Sequence, residues 1–173
     1  MSGASETALG LSRTMLRVCV VWNLAIGVIA LSIFVASFVF EDAVTHQFRT
    51  RMPELDLAIL FPTVRVWLLL CAPFVAAVHL LLSRLLEIVG TVRLGHPFAP
   101  ENAVRLRIIA WCLLLVQLLH LSSGVMVKIV AAANVQMHWD FSLVGWIAVL
   151  LVFVLARVFE EGARIRDDLD AMI

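Results

Sequence analysis

Two histidines inside uncharged stretches, a serine pair beside one of them, and arginines grouped near carboxylates are the residues in this chain that offer chemistry. His79 and His120 suit the axial positions of a haem or a metal pair, where neutral imidazole is a common ligand. Ligands on one axis need nearly equal depth. Counted at ~1.5 Å per residue from Arg84 and Arg107, His79 lies about 8 Å deep and His120 about 20 Å. That difference favours ordinary interhelical hydrogen bonding. His79 and Cys112 share a depth, but two groups do not complete a zinc site. Cys19, Cys71 and Cys112 show no Cys-x-x-Cys spacing and read as small apolar packing residues, so neither a disulfide framework nor a cofactor is expected.

Catalysis finds equally little. Ser122-Ser123-Gly124 places a hydroxyl three residues from His120, on one helix face, as a serine nucleophile beside a base would require. Yet the sequence is not Gly-x-Ser-Gly, and nothing marks an oxyanion hole. Glu160-Glu161-Gly162-Ala163-Arg164 resembles the Glu-Glu-x-x-x-Arg motif of intramembrane metalloproteases, but its arginine comes one residue early and no companion histidine motif accompanies it. The chain is read as non-enzymatic.

The charged groups make a better site. Gly95-His96-Pro97-Phe98-Ala99-Pro100-Glu101-Asn102 cannot continue a helix and forms a polar turn bordered by Arg93, Arg105 and Arg107. Near the C-terminus Glu160, Glu161, Asp167, Asp168 and Asp170 alternate with Arg164 and Arg166. The turn's arginines are expected to face this acidic tail and form one partner-binding surface with it. The plainer account has arginines on lipid phosphates and a mixed-charge helix in water. His96 is the candidate for a pH switch, although a lone loop histidine usually has no such role.

Membrane helices must position these groups. Apolar residues make up 62% of the chain and charged residues 15%, with a mean hydropathy of +1.02. Val18 to Phe40 carries no charge and is long enough for a ~30 Å hydrocarbon core; Val35-Ala36-Ser37 matches a signal-peptide cleavage site poorly, so this is an uncleaved span. Spans are expected over about 17–40, 64–90, 105–129 and 141–160, with extracytoplasmic loops at 41–63 and 130–140 and a turn at 91–104. Residues 1–15 read as frayed, and Leu55 to Phe61 as lying along the membrane surface. Pro73 falls inside the second span and Pro100 suits the first position of the third. The expected fold is all-α: one domain of four transmembrane helices in two hairpins, the last helix extended into water.

Basic residues set the orientation. The side holding both termini and the turn has nine arginines, and the other side has Arg49, Arg51, Arg65 and Lys128, which places the turn and termini in the cytoplasm. Trp22 and Trp111 then lie toward the inner face, Trp67 and Trp139 toward the outer. The second and fourth spans both exit through an Arg/Glu pair spaced i,i+3, Arg84/Glu87 and Arg157/Glu160, as a duplicated hairpin would.

Gly95-His96-Pro97-Phe98, Glu101-Asn102, Arg105-Leu106-Arg107 and Trp111 together resemble the central motif of a bacterial domain-of-unknown-function family, the DUF2975 type of four-helix inner-membrane protein. The stretch from Val158 to Asp170 is similar to that family's C-terminal motif. Ala99 departs from the pattern, since a serine there would cap the third span, and the ending after Asp170 departs as well. Such proteins are often encoded beside a small Cro-type helix-turn-helix regulator. The resemblance implies an inner-membrane signalling or docking protein for a cytoplasmic regulator and supplies no catalytic residues. The expected partners are the lipid bilayer, that regulator and further copies of the chain, with no direct nucleic-acid contact. The rival reading is a small transporter or ion-permeation module using Asn23, Gln117 and His120.

Overall fold

The computed structural model describes residues 3–51 and 54–170. Five helices follow in order: α1 Gly3–Val39, α2 Glu41–Arg51, α3 Leu57–Arg93, α4 Pro100–Ala131 and α5 Leu143–Asp170. There is no strand among the described residues. Four helices, α1, α3, α4 and α5, are long and apolar enough to cross a membrane. The chain is helical from Gly3.

The stretch 41–63 is not the loop that its charge suggested. Glu41 and Asp42 open α2, and Arg49 and Arg51 close it, each set at the end where the helix dipole favours its sign. Asp56 then caps α3, its carboxylate accepting from the Ala58 N–H at 3.0 Å. The run from Leu57 to Phe61, expected along the surface, is therefore the opening of α3, which continues through Pro62 and Pro73.

Arg65 ties these elements together. Its guanidinium donates to the Ser37 carbonyl at 2.6 Å and to Glu41 at 2.7 Å, and lies 4.1 Å from the centre of the Phe38 ring. One side chain on α3 so fixes the end of α1 and the start of α2. Across the same end of the molecule Asn134, held at a positive φ of 63°, donates to the Glu54 carbonyl at 2.8 Å and joins the two loops there.

The helices pack in the order α1, α3, α4, α5, each against the next, and no comparable seam joins α5 back to α1. This arrangement sets the α1–α3 hairpin beside the α4–α5 hairpin as neighbours in a row. Helix α4 is the central element: Ala103, Leu106, Ile109, Ala110, Cys112, Gly124 and Val127 are buried on it, and the small ones among them, Ala103, Ala110, Cys112 and Gly124, let α3 and α5 approach. The core sits toward the turn, where Leu106, Ile109 and Ala156 pack with Leu81, Leu85, Ile88, Val152 and Phe159. Helix α1 contributes nothing to that core. Its contact with α3 runs through Gly27, lying against Val75, and through Asn23, whose amide donates to the Val75 carbonyl at 3.0 Å.

Candidate functional site

The α3–α4 turn is built by backbone geometry first. Gly95 takes a φ of +82°, the left-handed conformation that a glycine adopts at little cost. Its N–H then bonds to the Val92 carbonyl and the His96 N–H to Thr91, both at 3.1 Å, the pairing of a Schellman motif. Pro100 is the first residue of α4, and Ala99 gives that helix no side-chain cap.

Asn102 holds the turn from within. It is fully buried, and its Nδ2 donates to Thr91 Oγ1 at 2.8 Å and to the Pro97 carbonyl at 2.9 Å. The Thr91 hydroxyl has one proton, donated to the Ile88 carbonyl at 2.8 Å, so it accepts from Asn102. The Asn102 Oδ1 in turn accepts from Arg105 at 2.9 Å. Every polar atom of this amide is engaged inside the protein, which removes Asn102 from the exposed partner-binding set.

Two carboxylates each gather two arginines. Glu87 on α3 pairs with Arg84 and with Arg105, both at 2.9 Å. Glu160 on α5 pairs with Arg107 and with Arg157, both at 3.0 Å. The i,i+3 pairs seen in the sequence therefore both form, and α4 reaches each through a different arginine. Of the turn's arginines, Arg107 faces the α5 extension, Arg105 turns away toward α3, and Arg93 is exposed with no ion pair among the described residues.

Phe98 completes the link. Its ring lies 5.4 Å from that of Phe159 and over Gly162, where an added Cβ would come within 3.2 Å of it. The glycine leaves the groove in α5 that the turn's aromatic fills. Around this contact His96, Glu101, Glu161, Arg164, Arg166 and Asp168 are exposed, Arg164 being paired with Glu161 at 3.0 Å; Pro97 is half-buried. The side chains of Asp167 and Asp170 lie outside the described residues. The C-terminal motif contains Phe159 and Gly162, but neither was among the expected binding residues, and Thr91 lies outside both motifs. Gly162 left a signal, as a glycine within an otherwise strong helix-forming run.

The intramembrane polar residues do not converge. His79 lines a cavity of about 460 Å³ between α1 and α3, and its Nδ1 is buried without a hydrogen-bond partner among the described residues. His120 lines a separate one of about 220 Å³ between α3 and α4 and stacks on Trp139, ring centres 5.4 Å apart. The Ser122 and Ser123 hydroxyls both donate to the Leu119 carbonyl of their own helix. Among the described residues no three His, Cys, Asp or Glu side chains are placed to share a metal ion. Cys112 is buried as expected of a packing residue, whereas Cys19 is exposed.

Four apolar crossings, short connections and a polar turn define an integral membrane protein of the multi-pass kind. The family described as Protein of unknown function (DUF2975) matches residues 47–173, most of the chain, and the protein belongs to that family. No curated protein and no solved structure matches the chain.

Proposed function

We propose that the protein is a non-enzymatic signalling or docking component of the bacterial inner membrane, presenting the α3–α4 turn and the α5 extension to a cytoplasmic regulatory protein. The observation that carries this reading is the locking of turn to extension by Phe98 on Phe159 and Gly162 and by the Arg107–Glu160 pair. A surface drawn from two distant segments and held rigid is what recognition needs, because little ordering remains to be done on binding. Its accessible part is Arg93, His96, Phe98, Glu101, Glu161, Arg164 and Arg166, with Asp168 beyond. The excess of basic residues on the turn side supports a cytoplasmic position.

Copurification from native membranes, read by mass spectrometry, tests the proposal. Arg93→Glu with Arg164→Glu is expected to abolish capture of the partner while leaving the protein folded, since both side chains are exposed. A chain that leaves the membrane alone in every detergent, or a turn that faces away from the cytoplasm, sinks it. The transporter reading draws less support: Asn23 sits in the α1–α3 seam, Gln117 against α5, and His120 toward α3, so the three polar groups line no common path.

A further inference from the structure

Residues 135–142 join α4 to α5 without helical structure, and they run back along α4. The Val135 N–H bonds to the Val130 carbonyl. Farther on, the Trp139 indole lies against Gly124 and donates from Nε1 to the His120 carbonyl at 3.0 Å. Gly145, in the first turn of α5, meets the Gln117 side chain. Between Val130 and Gln117 α4 rises about 20 Å, and the connection descends that distance beside it. Helix α5 consequently starts below the outer end of α4: from Leu143 to Glu160, which pairs with Arg107, it spans about 26 Å, less than the ~30 Å of a hydrocarbon core. Non-helical chain crosses the remainder.

That chain is polar where lipid would leave it unsatisfied. No backbone N–H or C=O of residues 136–141 has a hydrogen-bond partner among the described residues. Irregular backbone persists at membrane depth only when buried in protein or lining water. Gln136, His138 and Asp140 are all exposed along this segment, as are Met137 and Phe141 beside them, and the three polar side chains have no hydrogen bond or ion pair among the described residues. A carboxylate facing hydrocarbon is costly. At the foot of this segment Gln117, only 8% exposed, sets its amide against the first turn of α5 and has no hydrogen-bond partner among the described residues.

We infer that a water-filled crevice, open at the end of the molecule opposite the turn, runs down this side of α4 to Gln117 and admits small hydrophilic solutes. About 15 Å of dry protein and lipid then separates its floor from the level of Arg107. This conclusion concerns the other end of the protein and does not rest on the docking proposal.

Single cysteines test it in the full chain, with Cys19, Cys71 and Cys112 changed to alanine, reconstituted in liposomes. The probe is a charged, membrane-impermeant maleimide present on both faces. His138→Cys and Asp140→Cys are expected to react within about tenfold of Glu54→Cys in the α2–α3 connection. Leu69→Cys is the control: it is exposed, and its neighbours Trp67 and Cys71 lie across from His120 and Ser123, at the depth of Trp139. It is expected to react at least about a hundredfold more slowly. Equal reaction at Leu69→Cys would show that the bilayer edge itself lies at that level, and no crevice exists. Protection of His138→Cys and Asp140→Cys would show the segment sealed by lipid or by another chain, and would overturn the crevice. Should the cysteine-free background fail to fold, hydrogen–deuterium exchange of the unaltered protein in nanodiscs reads the same point. Fast exchange of amides 136–142 supports the crevice, and protection overturns it.

Discussion

Asn102 holds the turn by satisfying three partners at once: the Thr91 hydroxyl, the Pro97 carbonyl and the Arg105 guanidinium. Asn102→Ala strands those groups in a buried place, and each unsatisfied polar group costs about 1–3 kcal/mol. The expected result is a fall in melting temperature in detergent of roughly 5 °C or more. Thr91→Val should cost less, because the Pro97 bond survives, and Thr91→Ser should be close to neutral. If Asn102→Ala melts like the parent, the amide is not the clamp described. Gly95→Ala is a milder test, placing a Cβ on a backbone at φ +82° for about 1 kcal/mol. Sequence motifs brought Asn102 into view, but as a surface residue. Its burial was not legible, since Thr91 stands eleven residues away and the two meet only once the turn has closed.

At the scale of elements, the turn and the α5 extension move together only while Phe98 occupies the space that Gly162 leaves. Gly162→Val should expel the ring, and Phe98→Ala should empty the groove. The two changes act on one contact, so a double-mutant cycle is expected to show them strongly non-additive in melting temperature. Distances between spin labels on His96 and Arg164 should broaden in either single variant, and unchanged distributions would refute the coupling. Hydropathy made the four crossings legible, because uncharged runs of bilayer length leave few alternatives. It hid α2, whose polar composition gave no apolar stripe, although acidic residues at one end and basic at the other were there to be read. It also hid the descent of residues 135–142, because their mixed polar and apolar composition reads as an ordinary loop between two spans.

The whole molecule divides unevenly. Every residue of the apolar core belongs to α3, α4 or α5, and the family match begins at residue 47, after α1. Helix α1 is thus held from one side only, through the Gly27–Val75 contact, the Asn23 bond to the Val75 carbonyl and the Arg65 clamp. A Cβ built on Gly27 lies 3.8 Å from that of Val75, within the usual range for a disulfide. Gly27→Cys with Val75→Cys is therefore expected to cross-link under mild oxidation in the membrane, and most of the protein should shift on a non-reducing gel. Adding Asn23→Leu and Arg65→Ala should slow that reaction several-fold, since each removes a polar anchor to α3. The label distances between turn and extension should stay unchanged in the same variant, because α1 packs along α3 and forms no comparable seam with α4 or α5 among the described residues. Loss of those distances would mean that α1 supports the turn through a contact absent from the row of helices. An intact cross-linking rate would mean that shape alone, Gly27 against Val75, keeps α1 in place.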